Sequence, residues 1–439
     1  MAARGLVIAA PGSGAGKTTV TLGLLRALAR RGVAVAGAKS GPDYIDPGFH
    51  LAACGRVSVN LDAWAMTPDA LRARAAATGA DLLLVEGAVG VLDGAGRAAR
   101  GSVADLAQAL GLPLVLVIDA ARTGASAALA PAGLRALRPD LPLAGVILNR
   151  VGSDRHAVLL EAGMRRAGLP VLGHLPRAAA LALPERHLGL VQAAEHAALA
   201  TLIDTAADAI ARGVDLDAVQ AAARPLPAGG RAPALPPLGQ RIAVARDVAF
   251  AFAYPHMLDD WCAAGAEVLP FSPLAGAGPA PEADAVFLPG GYPELHAGRL
   301  AEAAGFRHGM AAAAARGARI YGECGGYMVL GDGLEDADGA RHAMLGLLPH
   351  ATSFARRAMT LGYRVLHAEP GAPWPGRLAG HEFHYATVLH EPDRPARLFR
   401  AEDADGADLG ALGLVAGRVS GSFAHVIGPA PEGQRSAER

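Results

Sequence analysis

The chain has 439 residues, of which 52% are hydrophobic, 18% charged and only 5% aromatic, a balance that suits Ala/Val/Leu-rich α/β layers over more than one core. Forty Lys+Arg against 41 Asp+Glu leave a net charge of -1, so no global basic field supports nucleic-acid binding. Three scattered cysteines exclude a disulfide framework and a four-cysteine zinc site, the lack of a long uncharged apolar run excludes a spanning helix, and a reducing, cytoplasmic compartment is expected.

Leu6-Val7-Ile8-Ala9-Ala10 reads as a strand, not a signal peptide, because it runs straight into the glycine loop Pro11-Gly12-Ser13-Gly14-Ala15-Gly16-Lys17-Thr18-Thr19. A helix is predicted from about Lys17 to Arg31. Between strand and helix, Gly12, Gly14 and Gly16 let successive backbone N–H groups curl around a phosphate at the helix N-terminus. Lys17 would reach the β/γ-phosphates and the Thr18 hydroxyl Mg²⁺, with Thr19 beside them; Pro11 stands where a strict Walker A loop has glycine. A second strand, Val33–Ala38, leads into Lys39-Ser40-Gly41-Pro42-Asp43-Tyr44-Ile45-Asp46-Pro47, whose two carboxylates would ligate Mg²⁺ or position a nucleophile. The runs at residues 82–85, 114–118 and 146–148 are continuously apolar, as in strands buried on both faces of a parallel sheet. Glu86 ends the first of them and is a candidate Mg²⁺ ligand. Asp93 follows in a loop, and Asn149 ends the last run, where its amide would read an adenine edge.

Residues 222–239 form a Pro/Gly-rich linker without periodicity, dividing a first domain (1–221) from a second (240–439). The strand–helix rhythm then restarts. Residues 319–321 lead into Gly322-Glu323-Cys324-Gly325-Gly326, a Gly-x-Cys-x-Gly nucleophile elbow before a helix, whose N-terminus would lower the thiol pKa. Gly290 and Gly291 end another strand and, with Gly325, would supply oxyanion-hole N–H groups. His425 is the expected base, delivered by a final strand. Cys54 and Cys262 read as buried, inert small hydrophobes.

Only two lysines, Lys17 and Lys39, and two asparagines, Asn60 and Asn149, occur in the chain. Where arginine has replaced lysine so thoroughly, a retained lysine marks a place needing a compact ammonium.

Together these residues resemble the cobyrinic/hydrogenobyrinic acid a,c-diamide synthases over nearly the whole chain. The carriers are the glycine loop, residues 39–47, Val85-Glu86-Gly87-Ala88-Val89-Gly90, and Leu183-Pro184-Glu185-Arg186-His187-Leu188-Gly189-Leu190. The second half adds residues 289–294, 322–327, 361–364 and Gly380-His381-Glu382-Phe383-His384-Tyr385. The resemblance implies two doubly wound α/β domains: a P-loop, dethiobiotin-synthetase-like ATPase and a flavodoxin-like class I glutamine amidotransferase of cobB/cobQ type. It implies ATP- and glutamine-dependent amidation of corrin acetates, with Mg²⁺ held by Thr18, Asp43, Asp46 and Glu86. Gly12, Gly14, Gly16, Lys17, Thr18, Thr19, Lys39 and Asn149 would hold the nucleotide. Asp43, Asp46 and Asp93 would orient the substrate carboxylate or ammonia, and Cys324 with His425 would form a Cys–His pair. Where related class I enzymes carry a glutamate two residues after the histidine, this chain has Ile427. The expected partners are small molecules (ATP, glutamine, a corrin or other tetrapyrrole polycarboxylate), with no nucleic acid or membrane, and a homodimer is left open. Two alternatives remain at this stage: diamidation of nickel-sirohydrochlorin, or a regulatory deviant-Walker ATPase with an inert amidotransferase-like domain.

Overall fold

The computed structural model describes residues 3–181, 185–186, 189–190, 192–230 and 232–432. They form two compact units, Met1–Ala232 and Pro233–Arg439. Of the Leu183–Leu190 motif, only Glu185–Arg186 and Gly189–Leu190 are described, as a short antiparallel pair, and the rest lies outside the described residues.

In the first unit, strands β1 (Arg4–Ala9), β2 (Val35–Ser40), β3 (Val59–Leu61), β4 (Leu82–Glu86), β5 (Leu114–Asp119), β6 (Leu143–Val151) and β7 (Val171–Pro176) share one sheet. Their order is β3-β2-β4-β1-β5-β6-β7, and every neighbouring pair is parallel. Helices cover both faces, so Leu6, Leu84, Val115 and Ile147 are buried on one side and Val7, Leu83, Leu116 and Leu148 on the other. That explains runs without alternation: each residue meets a helix whichever way it points, and each buried leucine stabilises by about 1.5–3 kcal/mol. Helix α1 (Lys17–Arg30) packs closely on Leu199–Gly213 at Gly23, where a Cβ would lie 2.6 Å from Ile210 Cγ1. The segment read as a linker contributes a strand of its own: Arg224–Pro225 pairs antiparallel with the start of β1.

The second unit has a central sheet in the order Glu267–Phe271, Arg241–Ala245, Ala285–Leu288, Arg319–Glu323, Val419–Ser422, Leu414–Ala416. The first five strands are parallel and the last pairs antiparallel. The sequence reading left residues 333–412 without elements. They are mostly antiparallel β, including a five-stranded sheet in which Thr360–Ala368 pairs with Arg377–His384, and the latter with His425–Pro429. Its alternation was legible only where one face is buried, and here exposed Leu361 and Phe383 blur the period. Among the described residues no helix is long and apolar enough to cross a membrane.

Candidate active sites

In the first unit the strand register gathers the candidate residues at one sheet edge. Lys39 of β2 lies level with Glu86 of β4, and Glu86 with Ile8 of β1, just before the glycine loop. Gly14 (φ 75°) and Gly16 (φ 89°) take the left-handed conformations that curl the loop. A Cβ on Gly16 would sit 2.1 Å from Asn149 Nδ2. That amide donates to Ala15 O at 2.8 Å, while its oxygen accepts from Arg150 N at 2.9 Å. Asn149 therefore braces the glycine loop, with one amide N–H engaged at Ala15 O. The other asparagine does similar work: Asn60 Nδ2 donates to Gly41 O and Asp43 O at 2.9 and 2.7 Å.

Lys17 Nζ donates to Val89 O at 2.6 Å and Gly12 O at 3.2 Å, spanning the space the loop encloses. Burial and the facing Lys39 hold its pKa below the ordinary value, against the pull of Glu86, Asp46 and Asp93. Thr18 Oγ1 donates to Glu86 Oε1 at 2.7 Å. Thr19 differs from expectation: it lies on the buried side of α1, and its hydroxyl donates inward to Leu181 O at 3.1 Å. Lys39 sits among three carboxylates, bonded to Asp46, 3.0 Å from Glu86 and 3.8 Å from Asp43. Burial opposes its charge, but Asp46, Glu86 and Asp43 outweigh that and raise its pKa. Burial also opposes ionised Glu86, yet Lys39 and His50 hold its carboxyl well below the usual range. Sequence reasoning missed His50, which is fully buried between Ser58 Oγ (2.9 Å) and Glu86 Oε2 (2.8 Å). A lone histidine in a helix gave no signal of it. Asp93 accepts from Gly90 N at 2.9 Å, closing the loop after β4.

The donor set here is hard oxygen, Thr18 hydroxyl with Glu86 and Asp43 carboxylates beside a phosphate loop. It fits Mg²⁺, which typically takes one or two carboxylates, waters and substrate phosphates. No ready-made cage of three or more His, Cys, Asp or Glu exists among the described residues.

In the second unit Cys324 caps Gly325–Leu330 with φ 46° and ψ -106°, a strained elbow for a residue with a side chain. Its N–H donates to Ser422 O at 2.8 Å, tying the elbow to the neighbouring strand three residues before His425. The glycines are sterically required: a Cβ on Gly290 would lie 2.3 Å from His425 Cε1, and one on Gly325 3.0 Å from Gly291 N. Gly290, Gly291, Gly325, Cys324 and His425 are thus gathered at one edge. The expected low thiol pKa is not found. Burial pushes Cys324 up and Glu294 adds to it, outweighing the Gly325 N–H of a helix only six residues long. Burial, His381 and His384 hold His425 well below its ordinary value, keeping the imidazole neutral as a base requires.

Around His425 lies a cluster that the motif at residues 380–385 flagged without assigning. His381 stacks on His425 at 4.9 Å and 5° between planes. His384 stacks on Phe423 at 4.0 Å, and Glu382 accepts from Arg364 Nε at 2.5 Å. Glu323 Oε2 lies 3.8 Å from His425 Nδ1. Of the two remaining cysteines, Cys262 is exposed and Cys54 half-buried, so neither is the buried hydrophobe expected.

Residues 6–191 match the family of CobQ/CobB/MinD/ParA nucleotide binding domains, and residues 241–432 that of CobB/CobQ-like glutamine amidotransferase domains. A hydrogenobyrinate a,c-diamide synthase of Brucella anthropi is 55% identical over 97% of this chain and 98% of its own. One from Rhizobium meliloti is 56% identical over 96% of this chain and 99% of its own. A solved glutamine amidotransferase from Thermotoga maritima aligns over 42% of this chain and 75% of its own, at 18% identity and a TM-score of 0.30.

Proposed function

The chain belongs to the hydrogenobyrinate a,c-diamide synthase family, glutamine-dependent, ATP-using amide ligases of cobalamin biosynthesis, and from that premise we propose how its residues divide the chemistry. The first unit activates a carboxylate of the corrin as an acyl phosphate. A carboxylate resists attack because its charge repels nucleophiles and its leaving group is poor, and phosphorylation removes both obstacles. Lys17, aimed across the loop, meets the transferring phosphoryl, and α1's N-terminus and the loop N–H groups hold the remaining phosphates. Thr18, Glu86 and Asp43 are the residues that would hold Mg²⁺, which supplies neutralisation of developing phosphate charge when bound. Asp46 and Asp93 flank this edge and orient the substrate carboxylate and ammonia.

The second unit frees nitrogen. Cys324 attacks the glutamine side-chain carbonyl and His425 accepts the thiol proton. The Gly290, Gly291 and Gly325 backbones face the developing oxyanion. Hydrolysis of the thioester returns glutamate, and ammonia attacks the acyl phosphate. The observation that carries this reading is the pairing, in one chain, of a Lys17–Thr18–Glu86 phosphate edge with a strained Cys324 elbow. The test is to incubate the protein with ATP, Mg²⁺, glutamine and hydrogenobyrinic or cobyrinic acid and weigh the products. Two successive losses of one mass unit per amidation, dependent on ATP, are expected; no mass change with either corrin would refute the reading.

A further inference from the structure

We propose that Glu323, the residue immediately before the nucleophile, is the carboxylate that positions His425 through its Nδ1 edge. The inference rests on reading Cys324 and His425 as nucleophile and base. Glu323 Oε2 is 3.8 Å from His425 Nδ1, and both side chains are 2% exposed. The carboxylate's other oxygen is pinned: Oε1 accepts from Tyr321 OH at 3.1 Å and from Val426 N at 3.0 Å. One oxygen is thus anchored to the two strands that carry Cys324 and His425, and the other is aimed at the base. The position that supplies an acid in related amidotransferases is Ile427, aliphatic and buried, so the acid reaches the same imidazole from the nucleophile's own strand.

In the acylation step the Sγ–H bond breaks and an Nε2–H bond forms on His425, while sulfur bonds to the glutamine carbonyl carbon. The imidazolium so formed points Nδ1–H at Glu323 Oε2, and Nε2 then returns its proton to the departing ammonia. The 3.8 Å separation of the resting site closes to a hydrogen bond when the charge appears. Among the described residues this pair is faced by His381, His384 and Glu382 from the antiparallel sheet, Glu382 itself bonded to Arg364, and by Tyr321 from the strand of Glu323. Burial pushes the Glu323 carboxyl up to about 8, against the Val426 N–H and the Tyr321 hydroxyl. The ionised, productive form therefore gains population as pH rises toward that value.

The experiment is the pH profile of glutaminase kcat/KM for the wild type, Glu323→Gln, Tyr321→Phe and Cys324→Ser. The wild type should rise about tenfold per pH unit and level near pH 8, as one ionisation requires. Glu323→Gln, which keeps an acceptor for Tyr321 and Val426, should lose that limb and fall about 10²-fold or more at the plateau, with its unfolding temperature at pH ~6 held within a few degrees. Tyr321→Phe removes a donor to the ionised form, so its limb should move to higher pH. A limb retained in Glu323→Gln, a plateau within a few-fold of wild type, or an unmoved limb in Tyr321→Phe overturns the proposal. Glutaminase activity surviving in Cys324→Ser overturns instead the reading on which it rests.

Discussion

Gly290→Ala isolates the glutaminase geometry with a single methyl group. The added Cβ would sit 2.3 Å from His425 Cε1, 3.1 Å from Nε2 and 3.3 Å from Nδ1. Carbon atoms in contact settle near about 3.5–4.0 Å, so the imidazole must move by roughly 1 Å or more. It has little room to do so: His425 is 2% exposed, and the parallel face of His381 lies 4.9 Å away. Gly290 is not at positive φ, so the backbone itself tolerates alanine and the cost falls on the base. A displacement of about 1 Å at a reacting group costs on the order of 10²-fold in rate, and overpacking of this kind about 1–3 kcal/mol in stability. The assay compares glutamine-dependent with ammonia-dependent amidation, beside Gly298→Ala, whose new Cβ meets nothing closer than 3.7 Å. Gly290→Ala should lose about 10²-fold with glutamine and little with ammonia. Wild-type turnover with glutamine would show that His425, as placed, is not the base.

Cys324→Ser should abolish amidation with glutamine and leave it intact with ammonia; equal loss with both donors would contradict two separate sites. His50→Ala strips a hydrogen bond from buried Glu86, and should cost about 1–3 kcal/mol in chemical denaturation together with ATP-dependent turnover. Glu323 has a clear sign for stability: its folded pKa, about 8, lies above the ordinary 4.5. Its contribution is therefore fully present below 4.5 and lost as pH rises through about 8. Melting curves should show the wild type falling relative to Glu323→Gln across that window, and parallel curves would refute the buried, raised carboxyl.

The gathering of residues at this sheet edge was legible because it is built from rare residue types at strand ends. Lys17 and Lys39 both stand in it, and Asn60 and Asn149 both brace its loops. What the pattern could not reveal was how the charges share partners. Asp43, Asp46 and Glu86 looked like three acids around a cation, and Lys39 is already among them. Spacing along a strand shows which side chains reach an edge, but not which of them neutralise one another there. The same limit explains the thiol: an elbow before a helix promised a lowered pKa, and burial reversed it.

That reversal bears on the energetics of the proposed proton transfer from Cys324 to His425. With the thiol pushed up and His425 held neutral, the resting pair carries no charge to lose to solvent. Transfer of the thiol proton to His425 creates an ion pair inside a buried site, and it is costly unless a further charge meets the imidazolium. Both Glu382 oxygens are engaged elsewhere, Oε2 accepting from Arg364 Nε at 2.5 Å and Oε1 lying 3.4 Å from His384 Nε2. Glu323 has one oxygen anchored and the other toward the base. Substrate-free Cys324 should accordingly alkylate with iodoacetamide much more slowly than exposed Cys262, as site-resolved mass spectrometry would read. Faster reaction at Cys324 would mean a thiolate already formed at rest, and would remove the reason for a buried acid beside His425.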